Sequence, residues 1–112
     1  MLPQSQRLSS SRIDYLLRKG KKGGDASLTV KYIHTSNPSS RFCVIVSSKI
    51  APKAVRRNQI RRQIYEILRT NQHLLPASFD FALIARTSLL QLTYQDLEKA
   101  IAGLFRTLTA HS

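Results

Sequence analysis

Lys53, Arg56, Arg57, Arg61 and Arg62 place five positive charges within ten positions, and Ile60, Ile64, Ile67 and Leu68 break the run at helical spacing. At 100° per residue these four apolar side chains fall on one side of a helix, the side that must dock on the rest of the fold. Asn58, Arg62, Tyr65 and Arg69, spaced four, three and four, line the opposite side. Arg57 and Arg61 form an i,i+4 ridge along one edge. Like charges at that spacing each cost roughly 0.2–0.5 kcal/mol in an isolated helix, and only Glu66 offsets them. Arginine outnumbers lysine here, and a guanidinium fork pairs bidentately with phosphate oxygens where an ammonium offers a point charge. Asn58 adds an amide able to bond phosphate or a base edge. A solvated face is the ordinary reading of a charge run. Charge density, arginine bias and a packed apolar side together point instead to a rigid surface that meets a polyanion.

The whole chain carries the same signal. Lys and Arg number 18 against 6 Asp and Glu, a formal charge of +12 over 112 residues. Such self-repulsion is tolerated where the partner is rich in phosphate or is an anionic membrane. With 42% hydrophobic residues the chain can bury one core, and its length suits one domain spanning 1–112, with a flexible N-terminus at 1–10. No apolar run approaches the ~20 residues that span a bilayer. Met1–Ser11 has polar residues where a signal peptide needs an apolar stretch. The single cysteine, Cys43, lies in an apolar run and reads as a buried small hydrophobe. A reducing cytoplasm fits these features.

The elements that must position the basic segment follow from periodicity and punctuation. Ser11, with Asp14 three residues on, caps a short helix whose apolar face is Ile13, Leu16 and Leu17, and Gly20 offers a left-handed stop. Lys21-Lys22-Gly23-Gly24-Asp25 reads as a mobile basic loop. Leu28, Val30 and Tyr32 alternate with Thr29, Lys31 and Ile33 as a half-buried strand. The turn cluster Ser36–Ser40 returns the chain antiparallel as Phe42–Val46, a continuously apolar and therefore central strand. Pro52 fits the first turn of the basic helix. After the breaker Pro76 comes a third strand at Phe79–Ala85. Thr93 and Asp96 then cap an amphipathic helix carrying Leu97, Ala100, Ile101, Leu104, Phe105 and Leu108. The order helix, strand, strand, helix, strand, helix implies an α+β fold, helices stacked on a small sheet.

In this setting Lys53-Ala54-Val55, Arg57-Asn58, Arg61-Arg62 and Glu66 closely resemble the signature of the bacterial ribonuclease P protein component. The likeness runs over almost the whole chain. It includes Leu2-Pro3, Arg7-Leu8, Phe42 to Lys49, Leu74-Leu75-Pro76, Phe79-Asp80, Ala85-Arg86, and Leu92-Thr93-Tyr94 with Leu97. The resemblance implies a two-layer α/β sandwich like the second domain of ribosomal protein S5. Its signature helix would sit in a left-handed βαβ crossover, against the usual handedness. It also implies an accessory subunit of an endoribonuclease. The partners are a catalytic RNA, which with bound magnesium ions removes the 5′ leader of precursor tRNA, and the precursor tRNA itself. No membrane and no protein partner are required.

By that resemblance Lys53, Arg56, Arg57, Asn58, Arg61, Arg62 and Arg69 contact RNA. Ile13, Leu17, Tyr32, Ser47, Lys49 and Arg86 belong to a leader cleft between the signature helix and the sheet. Tyr32 could stack a base or simply pack in the sheet. The chain departs from the family where Ile13 and Leu17 replace frequent aromatics, where Tyr65 stands for a common basic residue, and where Gln59 stands for arginine.

Catalysis by the protein itself is not indicated. His34, His73 and His111 lie far apart, no His/Cys/carboxylate group has metal-ligand spacing, and no glycine-rich phosphate loop follows a strand. Asp80 is the one acid inside a strand, where a structural hydrogen bond is its expected use. A general RNA-binding or ribosomal protein is the rival reading. A DNA-reading helix would need a second supporting helix, and a membrane-surface helix would need apolar residues that the core requires.

Overall fold

A computed structural model describes residues 8–110. Residues 1–7 of the expected flexible N-terminus, the family-like Leu2-Pro3 and Arg7, and His111 lie outside the described residues. The element order is α1 (Ser10–Lys19), β1 (Lys21–Gly24), β2 (Leu28–His34), β3 (Arg41–Ile45), α2 (Ala54–Thr70), β4 (Phe79–Ala85) and α3 (Tyr94–Ala110). The strands form one mixed sheet in the order β1-β2-β4-β3. β1 and β4 pair antiparallel with β2, and β3 pairs parallel with β4.

Two sequence expectations change at the sheet. Lys21–Gly24 is a strand, because Gly24 takes φ +106 and the Asp25 carboxylate accepts from the N–H groups of Ser27 and Leu28, closing a hairpin. A side chain at position 24 would strike the Leu28 carbonyl, so the Gly-Gly-Asp string is a turn and not a linker. β3 does run opposite to β2, but β4 inserts between them, so β3 is an edge strand and β4 is central. The 35–40 connection bridges the start of β4, where the Ser40 hydroxyl donates to the Pro76 carbonyl and accepts from the Phe79 N–H. Hydrophobic content could not rank the strands, since an edge strand covered on one face reads as apolar as a central one.

One face of the sheet carries Leu28, Val30, Tyr32, Phe42, Val44, Phe81 and Leu83. It meets Ile60, Ile64, Ile67 and Leu68 of α2 and Leu97, Ile101, Leu104, Phe105 and Leu108 of α3 in a single core. Phe42 stacks on Phe81 at 5.3 Å, and Phe105 meets the edge of Phe81 at 5.8 Å. α3 starts as expected, with the Thr93 hydroxyl accepting from the Asp96 N–H. α2 starts at Ala54, two residues after Pro52, with Lys53 at the N-cap and Pro52 outside the helix. α1 is capped by Ser9 and not Ser11, and Gly20 is extended at φ −68, not left-handed.

α1 lies across the opposite face of the sheet, where Asp80 pins it. The carboxylate is wholly buried and accepts from Arg12 Nε at 2.7 Å and from Arg41 Nε and Nη2 at 2.9 and 2.8 Å. Burial alone would push this carboxyl up, but the hydrogen bonds from Arg41 and Arg12 hold it below the ordinary range. Cys43 is half-buried on the same face, not fully buried as expected, and desolvation pushes its thiol up to about 11.

Because the folded carboxyl of Asp80 ionises below its unfolded value of about 3.9, its stabilisation is complete above that pH and is lost as pH falls through the folded value. Asp80→Asn should cost about 2–3 kcal/mol at neutral pH, less than a fully buried pair because both guanidiniums stay about a third exposed. Urea midpoints measured from about pH 6 down to about pH 2 should fall more steeply for the wild type than for this variant. Cys43 should react with iodoacetamide at about pH 8 roughly a hundredfold more slowly in the folded than in the unfolded chain.

Candidate nucleic-acid interface

α2 presents its polar residues as the 3.6-residue period requires. Ile60, Ile64, Ile67 and Leu68 are fully buried, and Arg57, Arg61 and Tyr65 form a half-buried ridge beside them. Tyr65 is therefore on the edge and not on the outward side, and its ring lies 6.2 Å from Phe42 of β3. Asn58, Arg62 and Arg69 are exposed beyond that ridge. The Arg61 guanidinium donates to the Asn58 side-chain oxygen, which fixes both as one polar unit. Arg62 has no protein partner among the described residues, so its whole fork is free. Arg69 is held by Glu66 through Nε and Nη2, and an incoming phosphate must compete with that carboxylate.

The start of α2 is electrostatically inverted. Lys53 occupies the N-cap without a side-chain cap bond, no acid stands in the first turn, and Arg56 and Arg57 follow. The positive end of a helix dipole disfavours cations and favours anions. Arg57 Nη1 is turned back to the carbonyls of Ala51 and Pro52, at 2.9 and 2.8 Å, and so braces the loop entering the helix. Arg56 leaves the group: it lines an apolar groove with Lys53, Ile50, Pro52 and Leu90, on the flank away from Asn58 and Arg61.

Among the described residues no cleft opens between α2 and the sheet, because buried core side chains fill that seam. The open surface is the opposite sheet face. Strand alternation places Thr29, Lys31 and Ile33 of β2, Ala82 and Ile84 of β4, and Cys43 and Ile45 of β3 there. α1 closes one end, with Ile13 and Leu17 half-buried on it. The exposed Arg86 marks the other end, its Nε on the Thr29 hydroxyl at 2.8 Å. From Asp80 to Arg86 the strand covers roughly 20 Å. Ser47 and Lys49 are exposed in the loop after β3, at the Arg86 end, where the Ser47 carbonyl accepts from Ile50 and Ala51.

Tyr32 does not join this surface. It is 9% exposed, belongs to the core face, and meets Phe79 edge-on at 6.0 Å. One residue of offset along a strand moves a side chain to the other face, and it is Lys31 that faces the open side. Arg12 and Arg41 also border it, each about a third exposed while bound to Asp80. Sequence reading passed over Lys31, Arg12 and Arg41. The alternation of β2 already marked Lys31, but only the tertiary fold brings the two arginines to one carboxylate.

Among the described residues no three His, Cys, Asp or Glu side chains gather, and Asp80 is taken up by two guanidiniums. These donors do not fit a magnesium site built by the protein alone. Among the same residues no helix is long and apolar enough to cross a membrane.

Comparison with known proteins places this geometry in a family. The family profile described as Ribonuclease P matches residues 2–109. A ribonuclease P protein component of Pelotomaculum thermopropionicum is 33% identical over 89 residues, covering 80% of this chain and 79% of its own. One from Syntrophomonas wolfei is 32% identical over 108 residues, covering 95% and 89%. Among solved structures, the RNase P protein from Thermotoga maritima superposes with a TM-score of 0.81 at 24% identity, over 90% of this chain and 96% of its own. The Staphylococcus aureus RNase P protein gives 0.80 at 20% identity, over 92% and 94%. A mixed four-stranded sheet, a helix bearing the Arg57-Asn58-Arg61-Arg62 pattern, and matches along nearly the full length lead to one conclusion: this chain belongs to the ribonuclease P protein family.

Proposed function

We propose that this chain is the protein subunit of ribonuclease P in the cytoplasm, binding the catalytic RNA through α2 and the 5′ leader of precursor tRNA on the open sheet face. The observation that carries the reading is the Asn58–Arg61–Arg62 group, displayed on a helix whose other side is locked into the core. Phosphate contacts fix position and register and need no particular sequence, which suits a subunit that orients a folded RNA. The open face, with Lys31, Arg41 and Arg86 among half-buried apolar residues, offers single-stranded RNA both charge and contact area.

In this reading hydrolysis belongs to the RNA subunit, and the magnesium ions are held by that RNA and the substrate. The protein contributes electrostatics: its +12 charge lowers the repulsion between two polyanions and reduces the free magnesium needed to bring them together. A general RNA-binding role would leave the match to one family over 2–109 unexplained.

Reconstitution with a bacterial ribonuclease P RNA tests this directly. At limiting magnesium the wild-type protein should stimulate precursor-tRNA cleavage, and Arg61→Glu with Arg62→Glu should abolish the stimulation while the circular dichroism spectrum is unchanged. Cleavage equal to wild type by that variant would overturn the assignment of α2. In binding assays on the catalytic RNA, Arg62→Ala should lower the slope of log affinity against log salt by about 0.7–0.9. Arg69→Ala should lower it less, because Glu66 already holds that guanidinium.

A further inference from the structure

At 100° per residue, Tyr15 and Lys19 fall on one flank of the buried Leu16, and Ile13 and Leu17 on the other. On the Tyr15 flank lies an open pocket of about 240 Å³, lined by the rings of Tyr15, Tyr32, His34 and Phe79 and by Lys19 and Lys21. It sits at the end of the sheet where β2 finishes and β4 begins, behind α1 as seen from Arg86. None of its lining residues belongs to α2.

Three observations say what it could hold. The rings are ordered against each other: His34 meets Phe79 edge-on at 5.2 Å, Tyr32 does so at 6.0 Å, and the Arg12 guanidinium lies 5.1 Å over the Tyr15 ring. Tyr15 is nonetheless 43% exposed, and His34 is exposed, a poor use of aromatic surface unless something covers it. The Lys19 and Lys21 side chains are exposed and have no hydrogen bond or ion pair among the described residues, and no carboxylate lines the pocket. Finally, Tyr32 is nine-tenths buried, yet its hydroxyl has no hydrogen-bond partner among the described residues. Buried phenols ordinarily find one.

We propose that this pocket binds one unstacked nucleotide of single-stranded RNA. Its base rests against Tyr15 and His34, a base or sugar polar atom pairs with the Tyr32 hydroxyl, and its phosphate meets Lys19 and Lys21. Exposed rings supply a stacking platform that any base can use, and adjacent lysines supply the backbone charge. The proposal rests on reading the chain as an RNA-binding subunit, and it adds a contact separate from α2 and from the open sheet face.

The test uses the free protein and a fluorescein-labelled pentanucleotide RNA with one central 4-thiouridine. Irradiation should cross-link the probe to peptides containing Tyr15 or His34. Tyr15→Ala should weaken binding about tenfold, while Tyr15→Phe, which keeps the stacking face, should bind as wild type. Tyr32→Phe should weaken binding several-fold without lowering the melting temperature, a result that simple packing by Tyr32 would not produce. Lys19→Glu with Lys21→Glu should weaken binding more than Lys99→Glu with Arg106→Glu, which makes the same charge change on α3. Wild-type affinity in both Tyr15→Ala and Tyr32→Phe, or cross-links confined to α2 and the open sheet face, would overturn the pocket. Because the pentanucleotide is read on free protein, failure of α2 to support holoenzyme cleavage would count against the proposed function and leave this result standing.

Discussion

Ile60, Ile64, Ile67 and Leu68 hold α2 against the sheet, and the display of its whole arginine side depends on that contact. Each is fully buried, a stabilisation of about 1.5–3 kcal/mol per side chain. The same helix concentrates like charges, carries cations at the positive end of its dipole and lacks a side-chain N-cap. Isolated, the segment would gain little from folding. Docked, its arginines stand at fixed spacing, so the core meets the cost of ordering the helix that carries them before any partner binds. The Arg61–Asn58 hydrogen bond and the turn of Arg57 onto the Ala51 and Pro52 carbonyls extend that order to the polar side.

The sheet divides the molecule's work between its two faces. One is wholly given to apolar contact with α2 and α3, and the other keeps charge and half-buried apolar surface open. Asp80 makes this division possible. A buried carboxylate on the open face would be costly alone; here it ties α1 and the β3 edge to the central strand and leaves two guanidiniums partly exposed. In the proposed function one framework would then serve two kinds of RNA contact, a helix side for a large folded RNA and a sheet face for an extended strand. The ringed pocket behind α1 would be a third, at the far end of the same sheet. Ile13 and Leu17 lie on one flank of α1, and Tyr15, with His34 of β2, places exposed rings on the other.

Much of this was legible in the residues. Helical period separated the isoleucine side of α2 from its arginines, because that pattern is local and the helix keeps it wherever it docks. β4 at Phe79–Ala85 and the Thr93–Asp96 start of α3 were readable for the same reason, as was the structural use of Asp80. The Lys21–Asp25 segment was not: its glycines and lysines say linker, and only pairing with β2 makes them a strand.

What the sequence by itself determined was therefore local and periodic: the elements, the basic side of α2, the motif that ties the chain to its family. Only the tertiary structure decided which strand is central and which sheet face stays open, and so that the Lys31 side of β2, not the Tyr32 side, borders the opening. The physical reason is range. A period depends on neighbours within a turn or two, whereas strand order depends on where β4 inserts more than 30 residues after β3. The pairing of Arg12 and Arg41 on Asp80 spans 68 and 39 residues, and no local pattern records such a meeting.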